Sequence, residues 1–216
     1  MISENLESIH SELPPEVKLV AVSKFHPIEE VMEAYMAGQR CFGENRPQEF
    51  AAKAVQLPQD IEWHFIGHPQ TNKLKLVLPY ASLVQSIDSQ HLLDAVCFWA
   101  REHDKTVDIL LECHIGQEET KGGLTDEEVL EICSNPPAGV RIRGLMGMAS
   151  NTDDEELIRS DFARIKALHD KIRAGFPALK DFSELSIGMS GDWRIALEYG
   201  ATIVRIGTAI FGPRRY

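Results

Sequence analysis

The chain has 216 residues, with 22 Lys+Arg against 33 Asp+Glu for a formal net charge of −11, and 44% of its residues are hydrophobic. That is the composition of a soluble globular domain long enough to bury one proper core. The acid excess argues against a general nucleic-acid or anionic-membrane binder, which needs clustered Lys and Arg, and no apolar stretch approaches the roughly 18 residues of a membrane span.

Residues 17–22 form a short apolar run followed at once by Ser23-Lys24. Pro27 then opens a helical pattern of Ile28, Val31, Met32 and Tyr35, with Gly38 as its stop. Residues 40–42 read as a second strand, and Pro47 as the first turn of a helix through Phe50, Ala54 and Val55. Residues 61–66 read as a third strand, ending at Gly67-His68, with a helix over 72–78. Residues 81–87 are a fourth strand, and Asp88-Ser89 caps a helix over 90–103 whose Leu92, Leu93, Val96 and Trp99 share one face. The strongly apolar residues 107–111 are a fifth strand, and Thr125-Asp126-Glu127-Glu128 is a capping-box pattern. Residues 140–148 are a sixth strand with Arg141 and Arg143 alternating outward, followed by an amphipathic helix over 153–174. A seventh strand over 184–187, a helix over 192–199 and an eighth strand over 201–206 complete the pattern.

Eight alternating strand–helix units imply a parallel sheet closed into a (β/α)₈ barrel, a TIM barrel, here as a single domain over residues 1–216. A G-x-G-x-x-G turn after the first strand is absent, which disfavours a dinucleotide-binding open sheet. Cys41, Cys97, Cys113 and Cys133 are scattered, with no C-x-x-C pair, so neither a metal site nor a disulfide framework is expected. The polar start, residues 1–13, lacks a signal-peptide pattern, and the cytoplasm is the expected compartment.

Barrels of this kind place ligands at the C-terminal ends of their strands. Those ends carry Lys24, Asn45, His68, Ser86 and Asp88, His114, Met146 and Met148, Ser190, and Arg205 with Gly207 and Thr208. A lysine at the barrel mouth loses hydration, which favours its neutral, nucleophilic form and Schiff-base chemistry; the plain alternative is a solvated strand-end lysine. Gly188-Met189-Ser190-Gly191 before one helix, and Arg205-Ile206-Gly207-Thr208 after the last strand, are two phosphate-cradle candidates or two ordinary glycine turns. Arg205, inside an apolar strand, needs a partner: an acid such as Glu44, or a ligand heteroatom. His64 and His68 sit in a strand-end context that does not suit zinc. Met146 and Met148 read as core, and Cys113 as a buried thiol.

The ordered motifs Ala21-Val22-Ser23-Lys24, Phe42-Gly43-Glu44-Asn45, Trp63-His64-Phe65-Ile66-Gly67-His68, Ser86-Ile87-Asp88-Ser89, Gly188-Met189-Ser190 and Val204-Arg205-Ile206-Gly207-Thr208 closely resemble the pyridoxal 5′-phosphate homeostasis protein family, single-domain relatives of the alanine racemase barrel. The resemblance covers roughly residues 17–216. It implies pyridoxal 5′-phosphate (PLP) as cofactor, with Lys24 as Schiff-base lysine. Ser190, Gly207 and Thr208 would hold the phosphate, with Met189 beside them, and Arg205 would face the pyridine nitrogen. Asn45 and His68 are implied pocket residues. The chain departs from the family pattern at Pro69 and Thr71, at Phe25-His26 and Arg46-Pro47, at Ile187, and at Cys113-His114 in the segment 112–123.

Two functions follow from that resemblance. One is a PLP carrier and regulator without robust turnover, a monomer that passes PLP to apo PLP-dependent enzymes. The other is a PLP enzyme such as an amino-acid racemase. Barrel racemases resemble two-base catalysts whose second base, a tyrosine, comes from a separate domain. This chain ends at Phe211-Gly212-Pro213-Arg214-Arg215-Tyr216 and is expected to lack that domain. Tyr35, Cys113, His68 or an external partner would then have to supply the base. The carrier reading is the expectation.

Overall fold

The computed structural model describes residues 1–116 and 122–213. Part of the segment 112–123, namely 117–121, lies outside the described residues, as do Arg214, Arg215 and Tyr216. Alternation within each apolar run sorts its side chains between two environments. Leu19, Phe42, Trp63, Phe65, Ile109, Leu111, Leu185 and Val204 pack outward into one large helix-covered core. Val20, Cys41, Leu83, Leu110, Met146 and Ile203 form a separate inner cluster. Burial on both faces is what a closed barrel requires of its strands.

The strands are β1 (Lys18–Val22), β2 (Cys41–Glu44), β3 (Glu62–Phe65), β4 (Leu83–Ile87), β5 (Val107–Cys113), β6 (Val140–Gly147), β7 (Glu184–Ser186) and β8 (Ile203–Ile206). Each is parallel to the next, and β8 returns to β1 with Ile203 beside Lys18 and Ile206 beside Ala21. The expected (β/α)₈ barrel is therefore the observed one. The helices are α1 (Ile2–Glu12), α2 (Ile28–Met36), α3 (Pro47–Gln56), α4 (Leu74–Val77), α5 (Gln90–Glu102), α6 (Asp126–Ser134), α7 (Glu155–Gly175), α8 (Trp193–Glu198) and α9 (Thr208–Phe211). The expected caps are present: Ser89 Oγ accepts from the Leu92 amide, and Thr125 and Glu128 form a reciprocal capping box. No helix among the described residues is long and apolar enough to cross a membrane.

Three local readings are corrected. The polar stretch 1–13 holds α1, because Ile2, Leu6 and Ile9 recur on one face and are buried, and Asn5 Nδ2 donates to the Ile210 carbonyl at 2.9 Å. The helix expected over 72–78 splits into a 3-10 turn, Thr71–Lys73, and the short α4. Arg141 and Arg143 do not simply alternate outward. The β5–β6 register slips between Ile109 and Leu110, and both guanidinium groups reach Asp108, at 2.7 and 2.9 Å. Gly144 sits at this bulge, where a Cβ would lie 1.8 Å from the Glu184 carbonyl oxygen.

Candidate functional site at the barrel mouth

Lys24 follows β1 in a tight turn that a buried charge cluster holds from below. The Lys53 ammonium of α3 donates to the Ser23 carbonyl (2.7 Å), Glu44 Oε1 (2.6 Å) and Glu49 Oε1 (2.8 Å). Ser23 Oγ donates to the same Glu44 oxygen at 2.7 Å, and the Phe25 amide donates to Glu49 at 2.8 Å. Burial pushes the Glu44 carboxyl up to about 7, against the pull of Lys53. Phe25 takes a left-handed backbone with φ of 67°, uncommon for a bulky residue, and the Arg46 guanidinium lies 4.2 Å from its ring centroid. The turn is thus pinned on both sides of Lys24.

Arg205 lies on β8 between two outward-packed apolar residues, so it points into the barrel. Its Nη1 donates to the Ser186 carbonyl (2.8 Å) and Ser186 Oγ (2.6 Å), and its Nη2 donates to the Gly147 carbonyl (2.9 Å). Burial lowers its pKa to about 10, with Glu112 and Asp192 opposing, so it stays a cation at neutral pH. The Glu44 pairing considered from sequence does not form: Glu44 shares the helix-facing side of β2 with Phe42 and meets Lys53 and Ser23 there, whereas Arg205 points into the barrel. A buried guanidinium held only by neutral groups still has charge to offer a ligand.

The β7–α8 and β8–α9 turns approach each other. The Gly207 amide donates to Ser190 Oγ at 3.3 Å, and the Met189 amide to Asp192 Oδ1 at 2.6 Å. Thr208 begins α9, where the first amides have no acceptor inside their own helix.

Lys24, Met189, Ser190, Arg205, Gly207 and Thr208 line one cavity of about 260 Å³. Ligand pockets usually measure about 300–1,000 Å³, so this one suits a single small ring compound rather than a dinucleotide. The chain carries a net charge of −11, yet no Asp or Glu is among the described lining residues. An acidic protein has here kept a cationic hollow, which fits an anionic ligand.

Asn45 and His68 do not line this cavity. Asn45 stands just past β2, with a buried Oδ1 that lacks a hydrogen-bond partner. The exposed ring of His68 bonds to Asp88 at the rim. Met146 belongs to the inner cluster and the half-buried Met148 packs against it, and both also wall the cavity. Of the candidate second bases, Tyr35 bonds to Asp60 at the surface, and the Cys113 thiol is buried and pushed far up by burial. His26 is a wall residue that sequence reasoning missed. Its Nδ1 lies 2.7 Å from Glu30 Oε2, and its ring stacks on Phe211 at 4.9 Å. The signal was its place two residues after Lys24.

Cys41, Glu62 and His64 bring one potential metal ligand each within 4.8 Å, at the opposite end of the barrel. Lys18 Nζ lies 2.5 Å from Glu62 Oε1, so an ammonium already serves as the local cation.

Glu112, on β5, is a second buried carboxyl near the mouth. Burial, helped by Asp88, pushes it up to about 7 from an ordinary 4.5, against Arg205 and His68. A carboxyl whose pKa is raised on folding gives stability that is full below the unfolded value and lost as pH rises through the folded one. Glu112→Gln should therefore match the parent at pH about 4.5 and exceed it by about 1–3 kcal/mol at pH about 8.5. Urea melts at the two pH values measure this, and an equal offset at both would contradict it.

The fold and the cavity define a lysine-bearing (β/α)₈ barrel shaped for a small anionic ligand. The profile described as alanine racemase, N-terminal domain, matches residues 1–215. A pyridoxal phosphate homeostasis protein of Vibrio alginolyticus is 38% identical over 100% of this chain and 98% of its own length. The human protein of that name is 37% identical over 92% of this chain and 77% of its own. Among solved structures, PipY of Synechococcus elongatus with PLP bound is 35% identical, with a TM-score of 0.90, and the match covers 98% of this chain and all of that one. Alanine racemase of Bartonella henselae shares the fold at 16% identity and a TM-score of 0.74, with 99% of this chain matched to 58% of that one. The chain belongs to the alanine racemase N-terminal domain family, within the group of pyridoxal phosphate homeostasis proteins.

Proposed function

We propose that the protein binds PLP in the mouth cavity and serves as a carrier and regulator of that cofactor. The observation that carries this reading is the cavity wall itself: Lys24, the Arg205 cation and the Ser190–Gly207–Thr208 cradle surround one small hollow whose described lining lacks carboxylates. The chemistry of the donor set fits. PLP, when bound, supplies an aldehyde that condenses with a primary amine and a ring that withdraws electrons. Lys24 supplies the amine, and the turn pinned by Lys53, Glu44 and Glu49 keeps it at the mouth. Ser190 Oγ and the Gly207 and Thr208 amides would hold the phosphate. Arg205 would face the ring nitrogen and, as a cation, disfavour a proton there, which leaves the ring a weak electron sink. Met146, Met148 and Ile66 would exclude water from the ring.

Such a site holds its cofactor well and activates substrates poorly. We further propose that the chain acts as a single domain and a monomer in the cytoplasm, with apo PLP-dependent enzymes as recipients. The four free, buried thiols agree with a reducing compartment. The test is to incubate PLP-loaded protein with L-alanine, L-serine and other amino acids, and separately with an apo-enzyme. The expected result is transfer to the apo-enzyme, with amino-acid conversion no faster than free PLP gives. A Lys24-dependent rate in the enzymatic range of roughly 1–10³ s⁻¹ would overturn the carrier reading in favour of a racemase-like enzyme.

A further inference from the structure

Arg205 is the upper end of a polar chain that runs down the barrel interior. On four strands the alternation that sends apolar residues to the helices sends one polar residue to the axis: His64 on β3, Gln85 on β4, Ser186 on β7 and Arg205 on β8. All four are buried, with exposures of 0–4%. Four polar groups in a barrel core are tolerable only if they satisfy one another.

They do so in sequence. Arg205 Nη1 donates to Ser186 Oγ at 2.6 Å, and Ser186 Oγ donates to Gln85 Oε1 at 2.6 Å. Gln85 Nε2 meets His64 Nδ1 at 2.7 Å, and His64 Nε2 meets Glu62 Oε1 at 3.0 Å. Glu62 also accepts from Lys18 Nζ at 2.5 Å.

The chemistry of the ends sets the direction. A guanidinium has no acceptor, so the Ser186 hydroxyl must send its proton elsewhere, and Gln85 Oε1 takes it. That leaves the Gln85 amide N–H for His64 Nδ1. The opposite amide orientation would give Ser186 Oγ two donors and its own buried proton no acceptor among these groups. With Nδ1 accepting, a neutral His64 carries its proton on Nε2 and donates to Glu62. Burial keeps His64 neutral by lowering its pKa, against Glu62, and the His64 bond together with Lys18 holds Glu62 down at about 2, against its own burial. Every link thus donates away from the cavity, and the last acceptor is a carboxylate.

We infer that Ser186, Gln85, His64 and Glu62 form a one-way hydrogen-bond relay that locks the orientation of Arg205 toward the cavity. They are positioning residues: none lines the cavity, and each acts through the next. The cofactor consequence rests on the PLP reading above, with Arg205 at the ring nitrogen. The relay itself does not rest on it.

The first test needs no cofactor. Nitrogen-15 NMR of the histidines in the apo-protein should show His64 protonated on Nε2, with Nδ1 an unprotonated acceptor. A proton on Nδ1 would overturn the relay. The second test cuts the chain with Gln85→Leu, and uses Leu110→Ala as an interior control that lies off both relay and cavity. In apo Gln85→Leu, hydrogen exchange at the Arg205 guanidinium should speed up by at least about tenfold, because its anchor can rotate. In the PLP-loaded protein the visible spectrum should change shape and the affinity fall about tenfold, while borohydride still labels Lys24. Leu110→Ala should lose stability and leave the spectrum unchanged, which separates positioning from general destabilisation. An unchanged spectrum and unchanged exchange in folded Gln85→Leu would overturn the inference. If Gln85→Leu does not fold, the wild-type tautomer still decides. Failure of Lys24 to label in the wild-type protein would instead sink the PLP reading and leave the tautomer result to judge the relay.

Discussion

Lys24→Ala should take up PLP without gaining the visible band, on the order of 420 nm, that attachment to a lysine produces. Borohydride should then fix no cofactor on the chain. The substitution removes the only lysine on the cavity wall among the described residues, and it leaves the cluster that builds the turn intact, since Ser23, Glu44, Glu49 and Lys53 bond to one another and to backbone. Weak binding should persist through Ser190, Gly207, Thr208 and Arg205. Absorbance titration and intact-mass measurement after reduction check both parts. A visible band of undiminished strength in Lys24→Ala would contradict the assignment.

The second large effect concerns the phosphate. Pyridoxal, which lacks it, should bind about 10²–10⁴-fold more weakly than PLP, because two charge-assisted hydrogen bonds at about 1.5–3 kcal/mol each would go unmade. Three donor groups meet at that corner: the Ser190 hydroxyl and the Gly207 amide, 3.3 Å apart, and the amide that begins α9. In wild-type protein the two affinities should differ by that factor. In a Ser190→Ala variant the gap should narrow, because only the phosphate ligand uses that hydroxyl. Equal affinities for PLP and pyridoxal in the wild-type protein would show that the phosphate lies elsewhere.

The barrel was legible because apolar runs of strand length alternate with helical patterns, which implies a parallel sheet, and there are eight of them, the number that closes one. α1 was not, because only Ile2, Leu6 and Ile9 carry its buried face within an otherwise polar segment. The bulge at Gly144 was hidden for a different reason. A glycine in a strand signals some irregularity, but only the close approach of the Glu184 carbonyl says which one.

Six of the eight candidate ligand residues fall on one cavity because they sit at strand ends, which the topology gathers. Asn45 and His68 sit at strand ends too, but their side chains are engaged or enclosed off the wall. Arg205 shows the limit more sharply. Its place in an apolar strand made its need for a partner plain. Alternation on β2 already turns Glu44 to the helix side with Phe42, away from Arg205, but that the partner is Ser186 on the neighbouring strand depends on inter-strand register, which no local pattern encodes. The relay beneath it could not be read for the same reason: Ser186 and Gln85 stand 101 positions apart.

The most direct measurement is the map of the covalent label. Wild-type protein is saturated with PLP, reduced with borohydride, digested and sequenced by mass spectrometry. The pyridoxyl group should appear on Lys24, and Lys53 should carry none, since its ammonium is buried and bonded to three oxygens. A label on Lys53, on Lys18 at the barrel floor, or on no lysine at all would contradict the account.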